Sequence, residues 1–412
     1  MKKKLKWGCL VTIGLVLMLV VSAKLYSIHR TKKIQEKNIM KPGAVDVADL
    51  KEADCQPFLA YLEQHAASPV EYVTGKFKDH DVVILGEMHE QKEACEFICD
   101  LMEPLYHQAG VRCFAMEVLK YKNTALINQL VSSESYDEQL ALRLFRDCPW
   151  PIWGFREYMD ILKAVWEVNR KLPPEAERLK VVALDSDWEG YDLLCGPLWK
   201  KPAAFIKMVR RDKHMARVVS REIFDKGLKA LVQIGYFHSF TRYRMPAVKE
   251  GKLMAEVSPR FGYILHEKYG ERIFQICLHQ WHFGPEFITG EAEGGSSPAL
   301  PGLLEEIFES NGNKPVGFDV ENSPFAPLRD RTDFLFAFQN YVTFTDIAQG
   351  YVFLKPLDEI NKVTWVDGFI DESNFEKARG ILLKKVKPRD RREVEECSTP
   401  RQLDEKMKEA MK

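Results

Sequence analysis

Five short runs of β-branched and other apolar residues recur along the chain, separated by stretches with helical spacing. They are Asp81-Val-Val-Ile-Leu85, Val111-Arg-Cys-Phe-Ala-Met116, Lys180-Val-Val-Ala-Leu184, Lys229-Ala-Leu-Val-Gln-Ile-Gly235 and Arg272-Ile-Phe-Gln-Ile-Cys-Leu278. Nearly unbroken apolar runs of this length read as strands buried on both faces, which is the habit of parallel sheets. Between the first two, Glu93 to His107 places Ala94, Phe97, Ile98, Leu101 and Leu105 on one helical face, and Gly110 closes it. Strand, helix and strand in so short a span make a βαβ unit. The alternation continues with longer helical excursions: residues 122–170, interrupted at Pro149 and Pro151, then residues 201–227, then Phe261 to Tyr269 stopped by Gly270. The pattern predicts an α/β fold with a mostly parallel central sheet, helices on both faces and helical insertions.

The edges of the chain are of a different kind. Val47 to His65 reads as a helix, Gly290 to Pro301 as a Gly/Ser/Pro-rich loop, and Gly350-Tyr-Val-Phe-Leu-Lys355 as a late strand. The 412 residues are 46% hydrophobic and 29% charged, which excludes a disordered chain. The net charge of −1 is the sum of two unlike parts, +9 over residues 1–41 and −10 over the rest. An acidic body argues against nucleic-acid binding. Trp7 to Ala23 are 17 consecutive uncharged residues between Lys6 and Lys24, the short limit for a membrane helix. The division expected is therefore a basic start at 1–6, a single transmembrane anchor at 7–23, a basic linker at 24–45, one α/β domain at 46–370 and a charged, solvated tail at 371–412. A cleavable secretory signal ending at Val21-Ser22-Ala23 is the alternative to the anchor. Either way the large domain is expected outside the cytoplasm, held to the membrane or, after cleavage, secreted. Nine cysteines without a CxxC pair argue against a structural zinc site, and a disulfide involving Cys148 or Cys195 stays open.

Ligands of open parallel sheets bind beyond the carboxyl ends of the strands. Here those positions are consistently ionisable: Glu87 and His89 after the first run, Glu117 after the second, Asp185 and Asp187 after the third, His238 after the fourth, His279 and His282 after the fifth. Any one of them has an ordinary explanation, a helix cap for Asp185 or Asp187, a salt bridge for Glu117, packing for His89. Five together suggest polar groups converging on one cleft, suited to acid–base chemistry or metal binding.

The motifs in order resemble those of the erythromycin esterase and ChaN-like (Tiki, haem-binding uptake) superfamily. Leu85-Gly86-Glu87-Met88-His89 and Phe114-Ala115-Met116-Glu117 are similar to its opening Gly-Glu-x-His and following strand-end Glu; Trp153 with Glu157, then Trp166 and Asn169, look like its helical stretch. Arg211-Asp212 with Met215-Ala216, and Gly235-Tyr236-Phe237-His238, continue the match over roughly residues 80 to 280. The first motif is closer to the ChaN-like form than to the esterases' longer one, and Tyr236 and Phe237 replace the esterases' small or Asn residues, which separates this chain from macrolide hydrolysis itself. The resemblance implies an esterase-like hydrolase with His89 as general base, Glu87 or Glu117 orienting it, and His238 and Arg211 facing the oxyanion. Asp185, Trp153 and His279 join them as candidate contacts to a small-molecule substrate. Such chemistry requires no cofactor; other branches imply a metal-dependent peptidase with a divalent metal on His89, Glu117 and His238, or a haem- or iron-binding protein that holds haem by exposed aromatics near Tyr236 and Phe237 and an axial Tyr or His. No Gly-x-Ser-x-Gly elbow is present, which disfavours a serine hydrolase.

Overall fold

Every one of the five apolar runs is a strand in the computed structural model, which describes residues 21–22, 24–50, 55–283, 296–298, 300, 302–333, 335–385 and 388–411. They form β1 (Val82–Glu87), β2 (Cys113–Lys120), β3 (Lys180–Asp185), β4 (Ala230–Gly235) and β5 (Ile273–Leu278). With β6 (Val316–Asp319) and β7 (Gly350–Phe353) they make a seven-stranded sheet in the order β6-β7-β5-β1-β4-β2-β3. Only β6 runs antiparallel, at the edge.

Alternate residues of each strand face opposite sides, so β1 sends Val83 and Leu85 into one core and Val82 and Ile84 into another. Helices α1 (Lys92–His107) and α2 (Arg156–Lys171) cover the first side, carrying the chain from β1 to β2 and from β2 to β3. Helices α3 (Arg211–Glu222) and α4 (Phe261–Tyr269) cover the second, carrying it from β3 to β4 and from β4 to β5. Each fully buried Val, Leu or Ile contributes about 1.5–3 kcal/mol, and β1, β4 and β5 are buried at every residue. The winding has a geometric consequence. The connection from β4 leaves to one side while those from its neighbours β1 and β2 leave to the other, which opens a crevice at the carboxyl end of β4.

Several expectations change. The excursion at 122–170 is three helices, Thr124–Val131, Glu138–Arg146 and α2. Helical structure between Val47 and His65 is a 3-10 turn at Val47–Asp49 and a helix at Gln56–His65, residues 51–54 lying outside the described ones. Within 371–412, expected as a solvated tail, two helices instead pack on the body. Helix Phe375–Lys385 buries Phe375, Ala378, Ile381 and Leu382, and helix Pro400–Ala410 buries Leu403 and Asp404. Asp404 accepts hydrogen bonds from the indole N–H of Trp365 (3.0 Å) and the backbone N–H of Gly368 (2.7 Å) and Ile370 (2.9 Å). Charge on the outward faces concealed the apolar inner ones. The two cysteines for which a disulfide stayed open are both thiols: Cys148 donates to the Trp150 carbonyl and Cys195 to the Gly380 carbonyl.

The anchor expected at 7–23 lies outside the described residues except for 21 and 22. Residues 24–37 are helical, and the chain meets the body through Thr31 donating to the Met254 carbonyl and Asn38 donating to the Phe338 carbonyl, each at 3.0 Å. Among the described residues no helix is long and apolar enough to cross a membrane.

Candidate active site

β1 ends on Glu87, and the chain turns at once, with Glu90 in the left-handed region (φ 71°) before α1 begins. A non-glycine residue there is uncommon and marks a constrained turn. The turn swings the imidazole of His89 back over the strand end, where Nδ1 lies 3.0 Å from Glu87 Oε1. Glu87 is buried and receives two further donors, the Tyr158 hydroxyl from α2 (2.8 Å) and the Gln233 side-chain amide from β4 (3.2 Å). With Nδ1–H donated to Glu87, Nε2 of His89 is left as an acceptor. Burial disfavours the charged ring, but the Glu87 hydrogen bond and the Glu87 and Glu117 charges outweigh it and raise its pKa above the ordinary 6.5.

Glu117, also buried, sits where the pairing of β2 with β3 slips register between Met116 and Lys120. Its Oε2 accepts the Gly235 N–H and stands 3.9 Å from His89 Nε2, while its Oε1 accepts from Arg211 Nη2 at 2.6 Å. Arg211, at the start of α3, also grips Asp185 in a fork, Nε to Oδ1 at 2.9 Å and Nη2 to Oδ2 at 2.7 Å. Burial alone would raise the Glu117 pKa; Arg211, then His238 and His89, bring it well below the usual carboxylate range. Burial likewise disfavours the guanidinium, and Asp185 and Glu117 keep it charged. A side chain at Gly235 would intrude here, since its Cβ would come within 2.8 Å of His89 Nε2 and 3.1 Å of Glu117 Oε2.

His238 lies on the single helical turn Tyr236–Ser239 after β4. Its Nδ1 is 2.6 Å from Asp212 Oδ1, and its Nε2 is 3.3 Å from Arg211 Nη1 and 3.7 Å from Glu117 Oε1. If Nδ1–H donates to Asp212, Nε2 accepts from Arg211, so His238 steadies the guanidinium rather than offering a donor to a ligand. Asp212 is further tied by the Phe261 N–H at 2.8 Å, and despite burial His238 and Arg260 hold its pKa down.

His89, Glu117, Asp185, Arg211 and Trp153 line a cavity of about 70 Å³. Trp153 meets the His89 ring edge-on at 5.1 Å, and its buried indole N–H has no partner among the described residues. Seven of the eight candidates thus share one cluster. The eighth, His279, does not: it follows β5, its Nδ1 pairs with the Tyr351 hydroxyl at 2.9 Å, and it packs among Phe308, Tyr351 and Phe353. Residues 281–283 are a strand, and the His282 side chain lies outside the described ones. Tyr158, Gln233 and Asp212 belong to the site unforeseen, although a Gln inside the otherwise apolar run of β4 was a visible signal. Glu157 faces elsewhere, accepting from the Thr364 N–H (2.7 Å) and hydroxyl (2.8 Å).

The residues do not fit a divalent metal at this point, because the Arg211 guanidinium already stands among Glu117, Asp185 and His238, the oxygens and nitrogen a cation would need. Haem does not fit either. Sites for organic ligands of drug size occupy about 300–1,000 Å³, and Tyr236, expected among exposed aromatics, is only 2% exposed.

The fold and cluster define an α/β protein with a His–Glu–Arg site in the crevice of a doubly wound sheet. Residues 73–186, from before β1 to just past β3, match the family model described as haem-binding uptake, Tiki superfamily, ChaN, and so carry Glu87, His89, Glu117, Trp153 and Asp185 within the matched stretch. The resemblance read from the sequence holds over that stretch. Similar solved structures include a succinoglycan biosynthesis protein (10% identity, 76% of this chain and 99% of that one, TM-score 0.49) and an erythromycin esterase mutant in its open conformation (12%, 71% and 94%, TM-score 0.46). ChaN of Campylobacter jejuni, solved with cofacial haem, is another (13%, 50% and 85%, TM-score 0.32). A search of curated proteins finds no match.

Proposed function

We propose that the protein is a hydrolase of small-molecule esters in which His89 is the general base. The Glu87–His89 hydrogen bond carries this reading, because it points the remaining ring nitrogen into a cavity sized for a few waters and one reacting group. His89 Nε2 takes a proton from a water in the gap before Glu117, the hydroxide so formed attacks the carbonyl carbon, and the imidazolium returns the proton to the departing alkoxide. Glu87 stabilises the imidazolium, Arg211 is the nearest cation to the developing oxyanion, and His238 with Asp212 holds Arg211 in place. The leaving products are a carboxylic acid and an alcohol.

The bulk of the substrate fits beyond the cavity. Trp188, whose indole N–H donates to Asp185 at 3.0 Å, also lines a neighbouring groove of about 450 Å³ that reaches Trp199. The uncharged segment at 7–23 supports a membrane-anchored protein with this domain outside the cytoplasm. Metal-free, haem-free protein is expected to hydrolyse members of an ester panel and to lose that activity with His89→Ala. Undiminished turnover in that variant would end the assignment.

A further inference from the structure

One strand away from His89, the carboxyl end of β5 closes over a second pocket, of about 390 Å³. His279 forms its floor with a side chain that is fully buried. If Nδ1–H donates to the Tyr351 hydroxyl, Nε2 is an acceptor, and it has no hydrogen-bond partner among the described residues. Facing it at 3.6 Å is Glu305 Oε1, a second buried polar atom without a hydrogen-bond partner among the described residues, while the other carboxylate oxygen of Glu305 is taken by the Gly302 N–H at 3.0 Å. In that tautomer two acceptors point at each other across a gap, which is costly to bury unless something with N–H bonds lies between them.

The walls narrow the choice of donor. Phe308 and Phe353 stack at 4.1 Å, and Trp281, 37% exposed, stands at the mouth. Glu309, Asp358 and Glu359 ring the rim, and among the described residues no Lys or Arg lines the pocket. Aromatic faces and carboxylates without a competing cation are the means by which proteins recognise organic ammonium groups. We infer that this pocket binds a primary alkylammonium, its N–H bonds shared by His279 Nε2 and Glu305 Oε1 and its carbon body against Trp281, Phe308 and Phe353. A quaternary ammonium lacks the N–H bonds the two acceptors require.

The full chain titrated calorimetrically with 2-phenylethylammonium chloride tests this, with 2-phenylethanol, phenylacetate and phenyltrimethylammonium as controls. Saturable binding of the primary ammonium, at least tenfold tighter than any control, is expected, and His89→Ala is expected to retain it because the two pockets share no lining residue. Glu305→Gln should weaken binding at least tenfold; if that variant does not fold, Trp281→Ala at the exposed mouth should weaken it severalfold. Equal affinity for 2-phenylethanol would reduce the site to an apolar hole. No binding of any probe, or binding untouched by both variants, would overturn the inference.

Discussion

Two histidines follow adjacent strands of the sheet and meet opposite surroundings. His89, after β1, lies between the carboxylates of Glu87 and Glu117 with one-third of its side chain exposed, and its pKa is raised. His279, after β5, is enclosed by aromatic rings, and burial pushes its pKa down to about 3. Sequence position made them equivalent candidates; the charges packed around each ring separate them. Desolvation acts on both in the same direction; it is overcome at His89, where Glu87 accepts the ring's hydrogen bond and Glu87 and Glu117 add their charges, and not at His279, where Glu305 at 3.6 Å does not offset it. Acidification therefore works on them in opposite senses. His89 contributes stability that is fully present below about pH 6.5 and fades as pH rises through its elevated folded value. His279, neutral in the fold, costs stability progressively as pH falls from about 6.5 toward 3, because the unfolded chain takes up a proton that the fold refuses.

Breaking the His89 side should have the largest effects. Replacing His89 by Ala should lower ester turnover by about 10²–10⁴-fold, the usual worth of a positioned acid–base group, in steady-state assays. Arg211→Leu leaves Glu117 and Asp185 buried without their counter-ion and should cost about 3–5 kcal/mol in urea denaturation. Glu87→Gln should move the acid limb of the rate profile to lower pH while an NMR titration shows the His89 pKa falling; an unmoved limb would mean that Glu87 does not set the base. In the same spectra His279 should stay neutral until pH is well below 5. The smallest change tests the aromatic wall: Phe308→Leu should cost no more than about 1.5 kcal/mol, yet raise the titration point of His279 by admitting water beside the ring.

Legibility followed the same physics. Runs such as Val82 to Leu85 declare themselves because both faces are buried, whereas β6, four residues with a central glycine at an antiparallel edge, has too little pattern to read. Glu87, His89, Glu117, Asp185, Arg211 and His238 were identifiable as ionisable residues at strand ends or in ordered motifs. Tyr158 was not, and Asp212 stood in a motif without a role, because a hydroxyl on one helix and a carboxylate on another become site residues only when packing brings them to Glu87 and His238. The C-terminal helices misled through composition. Arg, Lys and Glu on their outer faces outnumber the few inward groups, Leu382, Leu403 and Asp404, that dock them.

The strand order also governs when the site comes into being. β1 is synthesised first but pairs on either side with strands reached much later in the chain, Val82 meeting Ala230 of β4 and Ile273 of β5. Closing loops of that length must precede the pairing that rewards it, so the middle of the sheet assembles slowly and through intermediates. Until β4 arrives, Glu87 lacks Gln233 and Glu117 lacks the Gly235 N–H. The turn bearing His89 is thus among the earliest parts made and among the last completed.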